Sequence, residues 1–398
     1  MSVEVEPLDE LLRFRDVDSY ASDRHISAVL PALSAVIGHP QPTPVHPDPE
    51  ASRVALGFPR AQSAVIVLVD GLGFWNLAMR EGHAPYLRGL MNREGNSAPI
   101  ATCIPSTTPI VMGSFGTGTC PGMTGMTGFT QLNQETGGVG QLISFAGAPD
   151  PEDLQRQPTV FERLVEAGVR VTSVGLPKFA HSALTRAALR GPDYQGSQHE
   201  ELRVRAAIKA AAKPGITYYY VDDVDKAGHH YGPFSEQWAS ALENVDGQLQ
   251  ALRRGLKPGT LMVVVADHGM VEADFGNQID IADRESLTRD VALVAGEPRM
   301  TMLYARPDAD IEAMAMRWRE ELAEHARIFT RVEAIEHGLY GSVEERVQPL
   351  IGDVVVCAAG NTTIVDSRTQ SEGSMGLKGV HGSLTRLERE IPCLIDVA

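Results

Sequence analysis

The chain has 398 residues, of which 43% are hydrophobic and 6% aromatic, and its formal net charge is −16. Such a length and apolar content are ample for a buried core, either as one large α/β unit or as two to three domains. The acidic balance argues against broad electrostatic binding of a nucleic-acid polymer or an anionic membrane, but not against a small phosphate-bearing substrate held through divalent cations.

Residues 1–60 read as an N-terminal helical and proline-rich segment. It opens on "MSVEVEPLDELLRFRD", which is acidic and lacks the basic start and apolar centre of a secretory signal. No run of about 18 uninterrupted apolar residues occurs anywhere, so no spanning helix is expected and a cytoplasmic location is the default. "DRHISAVLPALSAVI" has apolar residues at helical spacing, and the prolines of "GHPQPTPVHPDPE" break the pattern. From residue 61, "SAVIVLVDG", "VRVTSVG", "GITYYYVD", "TLMVVVADHG" and "RMTMLYA" predict buried strands. Between them, "TVFERLVEAG" and "SEQWASALENVDGQLQALRRGL" have the pattern of amphipathic helices. The alternation predicts a doubly wound, mostly parallel α/β sheet flanked by helices, built from residues 61–275 and 351–398. Residues 276–350, with the charge-rich helix "DADIEAMAMRWREELAEHARI", are expected to form a small α+β subdomain. Cys103, Cys120, Cys357 and Cys393 show no CxxC spacing and read as free thiols.

In open α/β sheets, ligands bind beyond the carboxyl ends of the strands. Three predicted strands run into metal-ligand residues: Asp70, then Asp225 and His229, then Asp267 and His268. His381, in "GVHGSLT", is a further candidate. Imidazole and carboxylate together suit Zn²⁺, with Mn²⁺ or Fe as alternatives. Taken singly, Asp70 before a glycine is an ordinary turn residue, and His381 could be a capping or hydrogen-bonding histidine. Asp267 and His268 are stronger, because adjacent ligands can grip one ion from a turn. Asp225 and His229 are four apart, which faces one way on a helix, although Gly228 favours a loop. Asp222, Asp223 and His230 are alternative ligands there.

The stretch "ATCIPSTTPIVMGSFGTG" offers Thr102, Cys103, Ser106, Thr107 and Thr108 as nucleophiles. Pro109 ranks them. Proline suits the first helical position, and it pushes the preceding residue out of helical conformation. Thr108 is therefore expected as the N-cap, with its hydroxyl at the helix end that favours negative charge. A threonine hydroxyl is a poor nucleophile until a metal activates it. A pair of metals would clamp both ends of an in-line displacement at phosphorus.

In the order "VDG", "PSTTPIVMGSFGTGTCPGMTGMTG", "DKAGHHYGP", "ADHGM" and "GVHGSLT", the chain from about residue 62 onward resembles the alkaline phosphatase superfamily. Within it, the resemblance is to the nucleotide pyrophosphatase/phosphodiesterase branch. That family's nucleophile stands nine residues before the Thr of a Thr-Gly pair, and counting back nine from Thr117 gives Thr108. The resemblance implies one zinc held by Asp225, His229 and His381 and another by Asp70, Thr108, Asp267 and His268. It also implies a phosphothreonine intermediate, and a small phosphate ester or nucleotide as substrate. One position departs from the pattern. About 21 residues after the nucleophile the family places an Asn that binds a phosphoryl oxygen, and here Phe129 stands there. Gln131, Asn133 or backbone N–H groups are candidate substitutes, and Phe129 is a candidate platform for a substrate base. A sulfatase would need Arg four residues after Cys103, where Thr107 stands. A phosphomonoesterase would add a third metal or a phosphate-binding Arg, a role for which Lys378 and Arg386 are candidates. A non-catalytic metal-binding protein would have no use for Thr108.

Overall fold

Runs of Val, Ile and Tyr, bounded by Gly and Asp, become the strands of the computed structural model, which describes residues 3–398. In chain order the principal strands are β1 (Ser63–Val69), β2 (Val171–Gly175), β3 (Asp193–Gly196), β4 (Gly215–Val221), β5 (Leu261–Val265), β6 (Val291–Glu297), β7 (Met300–Ala305), β8 (Ala326–Thr330), β9 (Val354–Ala358) and β10 (Cys393–Val397). Six of them form the central sheet, in the order β10-β5-β1-β4-β2-β3. β1 runs parallel to both β4 and β5, and β2 runs parallel to both β3 and β4. Only the edge strand β10 is antiparallel. The fold is the expected doubly wound, mostly parallel sheet flanked by helices. Every residue of β1 and β5 is buried, as strands covered on both faces require.

The flanking helices follow from local signals. Ser235 caps the helix Glu236–Gly255, which buries Trp238, Leu242, Val245 and Leu249 along one stripe. Thr159 and Glu162 form a reciprocal capping box at the start of Val160–Glu166. The N-terminal helix Val29–Val36 is buried at all eight positions and belongs to the same apolar cluster as the central sheet. Beside it runs a buried polar chain: His25 Nδ1 to Ser27 Oγ at 2.8 Å, and Ser27 Oγ to His46 Nε2 at 2.8 Å.

A second, antiparallel sheet has the order β6-β7-β9-β8. Its core includes Ile279, Leu303, Trp318 and Val356. "RMTMLYA" reads like the central strands but becomes β7 here. Only Pro298 and Arg299 separate it from β6, and so short a link allows only an antiparallel neighbour. The third strand of this sheet in spatial order, β9, lies beyond residue 350. Arg299 and Glu388 join this sheet to the C-terminal segment through paired bonds of 3.0 and 2.9 Å, with both side chains fully buried. The four cysteines are free and buried. Among the described residues, no helix is long and apolar enough to cross a membrane.

Candidate active site at the strand ends

β1 lies between β4 and β5, so the carboxyl ends of all three open side by side. Asp70 follows β1, Asp222 and Asp223 follow β4, and Asp267 and His268 follow β5 one residue on. Gly71 takes φ +70°, which turns the chain sharply enough for its N–H to donate to Asp267 Oδ1 at 3.0 Å. His268 N–H donates to the same oxygen at 3.0 Å.

The helix that starts at Thr108 runs Thr108–Thr117 and is buried throughout. Thr107, not Thr108, is its N-cap. Thr107 is extended, at φ −137° and ψ 145°, and its carbonyl accepts the N–H groups of Ile110 and Val111 at 3.1 and 3.0 Å. Pro109 therefore sits one place further in than expected. The first-turn N–H groups of a helix have no internal partner, so proline's missing donor is tolerated there too. No side chain caps this helix, and the Thr108 hydroxyl is not spent on it. Thr108 Oγ1 lies 3.4 Å from Asp70 Oδ1 and 3.3 Å from His268 Nε2. Gly116 lets the helix lie against its neighbour, since a Cβ there would overlap the Ala188 carbonyl oxygen.

Asp225 and His229 lie on the helix Asp223–Tyr231, so the loop suggested by Gly228 does not form. The glycine serves packing instead, because a Cβ at 228 would run into Met270 Sδ. His229 Nε2 and Asp225 Oδ1 are 3.3 Å apart. Of the alternative ligands, Asp222 pairs with Lys226 at 2.6 Å, and His230 is exposed. His381 arrives on the short strand Gly379–Val380, which pairs with Val271–Glu272 just after the Asp267–His268 turn. Ser106 N–H donates to the Gly382 carbonyl at 3.2 Å, zipping the His381 segment to the loop before Thr108.

Ligand atoms of Asp70, Asp267 and His268 fall within 4.8 Å of one another, as do those of Asp225, His268 and His381. His229 borders the second group, its ring 5.2 Å from that of His381. The donor set fits divalent cations. His229, His268 and His381 each engage a backbone carbonyl through Nδ1, at 2.7, 3.0 and 2.8 Å, which leaves Nε2 available to a cation. Asp225 Oδ1 and Asp267 Oδ2 are buried without a hydrogen-bond partner. Burial, then the charge of Asp267, pushes Asp70 well above the usual carboxylate range, while Tyr220 donates to its other oxygen. Burial lifts Asp225 to about 7 and Asp267 to about 6. Burial lowers His268 to about 4, and burial followed by the neighbouring imidazoles drives His381 well down. Carboxylates crowded this way resist ionisation unless a cation joins them.

A cavity of about 480 Å³ opens over Thr108. Phe129, Phe179, Leu184 and Leu189 line it, Lys178 supplies positive charge, and Lys226 lines it paired with Asp222. Neither side chain offered as a substitute for the family Asn lines it. Gln131 is spent on Thr127 and Gly125, and Asn133 on Gly147 and Glu135. Arg386 is held by Glu6 and Glu390, and Lys378 is exposed outside the cavity lining. Cys103 is fully buried, with its thiol pushed up to about 12 by burial. Sequence reasoning missed Lys178, Lys226 as a cavity residue, and Glu297. Lys226 stood inside "DKAGHHYGP" with no role assigned, and nothing local marked the other two.

Residues 64–384 match the family model described as type I phosphodiesterase / nucleotide pyrophosphatase. A phosphopentomutase of Anaeromyxobacter dehalogenans (strain 2CP-C) is 34% identical over 136 residues, 33% of each chain. Human ectonucleotide pyrophosphatase/phosphodiesterase family member 1 is 33% identical over 87 residues, 19% of this chain and 9% of that protein. The chain thus matches about a third or less of the length of these curated relatives. Among solved structures, murine ectonucleotide pyrophosphatase/phosphodiesterase 5 superposes with a TM-score of 0.65 at 18% identity, over 84% of this chain and 88% of that one. An inactive variant of that murine protein was solved in complex with AMP. Phosphonoacetate hydrolase of Sinorhizobium meliloti 1021, in complex with phosphonoformate, gives 0.62 at 21% identity, over 85% and 90%. At these identities the likeness is one of fold.

Proposed function

The chain belongs to the type I phosphodiesterase / nucleotide pyrophosphatase family, and from that premise we propose that it hydrolyses phosphodiester or nucleotide pyrophosphate bonds through a phosphothreonine on Thr108. The observation that carries this reading is the Thr108 hydroxyl, free of any capping bond and within 3.4 Å of both Asp70 and His268. A helix N-terminus and a ring of Asp and His side chains surround it. The helix end favours an anion at that point, and the Asp and His side chains would do so through the cations they hold.

Asp225, His229 and His381 would hold one cation, and Asp70, Thr108, Asp267 and His268 the other, zinc in the first place. When bound, divalent ions supply Lewis-acid chemistry, lowering the pKa of hydroxyl and water and offsetting phosphoryl charge. The chain's own part is positioning. Thr108 Oγ attacks phosphorus, the Oγ–P bond forms, and the bond to the leaving oxygen breaks. Water then attacks the phosphothreonine, and Thr108 and the phosphate product are released. Little acid–base machinery is required, since positioning and charge stabilisation dominate phosphoryl transfer.

The leaving group would lie against Phe129 and Phe179, with Lys178 on the same cavity wall to meet further phosphate charge. A nucleotide meets that description, and the AMP bound by a structural relative supports it. A panel of dinucleotides, nucleotide sugars, bis(p-nitrophenyl) phosphate, p-nitrophenyl phosphate and a pentose phosphate tests the reading. Fastest turnover of diesters or pyrophosphates is expected. Faster p-nitrophenyl phosphate hydrolysis would make the protein a monoesterase. Isomerised pentose phosphate without phosphate release would make it a mutase, in line with the phosphopentomutase relatives.

A further inference from the structure

Lys178 is the middle residue of the single turn Pro177–Phe179, which follows β2. It is exposed and lines the cavity. The turn that carries it is tied down. The Tyr194 hydroxyl donates to the Leu176 carbonyl at 2.8 Å, and the Thr185 hydroxyl donates to the Phe179 carbonyl at 2.7 Å. Gly196 packs against the turn, since a Cβ there would stand 2.8 Å from Pro177 Cα. The Lys178 ammonium lies over the Phe179 ring, 4.7 Å from its centroid. Phe179 meets the Tyr220 ring edge-on, with centroids 5.6 Å apart. The Tyr220 hydroxyl donates to Asp70, whose other oxygen lies 3.4 Å from Thr108 Oγ1. One wall of contacts therefore leads from Thr108 to the ammonium.

Most other polar ends on this wall are spent on the protein. Tyr194 and Thr185 serve the turn, and Ser182 donates to Thr185 at 3.0 Å. Tyr218 donates to Met112 Sδ at 3.8 Å, and Tyr220 is held by Asp70. Lys226 is paired with Asp222 at 2.6 Å. Two ends stay without a hydrogen-bond or ion-pair partner among the described residues, the Ser173 hydroxyl and the Lys178 ammonium. Only the second carries charge. In a chain of net charge −16, an unpaired cation on a largely aromatic wall is the feature that a ligand can read.

Resting on the phosphothreonine reading above, we propose that Lys178 is a specificity-determining residue. It selects esters whose leaving group bears a negative charge of its own, a phosphate or a carboxylate, over esters whose leaving group is uncharged. The ammonium donates to that anion, and the aromatic wall takes the uncharged part.

The experiment compares metal-loaded wild type, Lys178→Ala, Lys178→Arg and Lys178→Glu on two pairs of esters. Diadenosine pyrophosphate and 5′,5′-diadenosine monophosphate differ by one phosphate. The 4-carboxyphenyl and phenyl esters of AMP differ by one carboxylate. The readout is the ratio of kcat/KM within a pair, charged over uncharged, compared between proteins so that the intrinsic reactivity of the esters cancels. The ratio should be roughly threefold to tenfold higher in wild type than in Lys178→Ala, and added salt should shrink that margin. Lys178→Arg should keep the wild-type ratio, and Lys178→Glu should fall below Lys178→Ala. A margin confined to one pair identifies the anion as phosphate or as carboxylate. Ratios that are the same in wild type and Lys178→Glu for both pairs overturn the proposal and leave the phosphothreonine reading intact. Titration of ADP and AMP provides an arm independent of turnover. ADP should bind more tightly than AMP in wild type and lose that margin in Lys178→Glu, and an equal margin in the two proteins overturns the proposal even if no ester is hydrolysed.

Discussion

The imidazoles of His268 and His381 stack face to face, their ring centroids 3.5 Å apart and their planes 16° from parallel. A backbone carbonyl fixes each ring through Nδ1, Gly269 for His268 and Ser106 for His381. Both rings are therefore neutral donors aimed at the carboxylates around Thr108, and a proton on either would place a cation against its neighbour.

Removing divalent ions with a chelator should abolish turnover and lower Tm, and added Zn²⁺ should restore both. Ligands that crowd unpaired carboxylate oxygens gain most of their stability from the ion they share. Metal analysis of Asp267→Asn and His381→Ala should show reduced occupancy. Freshly purified protein free of divalent metal, yet active, would end the two-ion reading.

Thr108→Ala should lower turnover of bis(p-nitrophenyl) phosphate by roughly 10³-fold or more without unfolding the protein, because it removes the attacking atom. Intact-mass analysis after acid quench should find a phosphorylated species in wild type and none in the variant. Turnover like that of wild type would exclude Thr108 as nucleophile.

Glu388→Ala should destabilise the fold by about 3–5 kcal/mol, because it leaves the Arg299 guanidinium charged, buried and unpaired. Glu388 also accepts the Ser383 N–H at 3.0 Å and the Thr385 hydroxyl, so the segment carrying His381 should loosen with it. Urea denaturation of the metal-loaded protein measures the effect, and an unchanged midpoint would contradict it.

Acid should destabilise the N-terminal segment through His25 and His46. Burial lowers His25 to about 3 and His46 to about 4, whereas unfolded imidazoles protonate near 6.5. Between those values the unfolded chain binds more protons, so stability falls as pH drops below about 6.5 and is regained as pH rises. Urea midpoints at several pH values should show this slope, and His46→Gln should flatten it. An identical slope in the variant would remove His46 as a cause.

Much of the site was legible because its determinants are local. β-branched runs ending in Asp or Asp-His mark β1 and β5, and parallel strands project their ends to one side whatever the rest of the chain does. That places Asp70, Asp267 and His268 side by side as candidates, although Asp70 taken singly reads as a turn residue. The histidine of "GVHGSLT" was visible as a candidate, but its approach depends on pairing with Val271–Glu272 and on the Ser106 carbonyl. Gly228 misled for the same reason: local propensity argued for a loop, and close packing against Met270 required a glycine within a helix. The Thr107 cap was missed by one residue, because proline fits either of the first two helical positions.

By itself, then, the order of residues determined the alternation of strand and helix, the parallel sheet, and the residue types that converge on phosphoryl chemistry. These are set by side-chain periodicity and backbone sterics, which act over a few residues. Tertiary structure alone decided that Glu297 crosses from the second sheet to Thr107 and Phe129, that Lys178 and Lys226 share a cavity with Phe179, and that His268 stacks on His381. Those are contacts between segments far apart in the chain, and burial and charge exist only once such segments have packed.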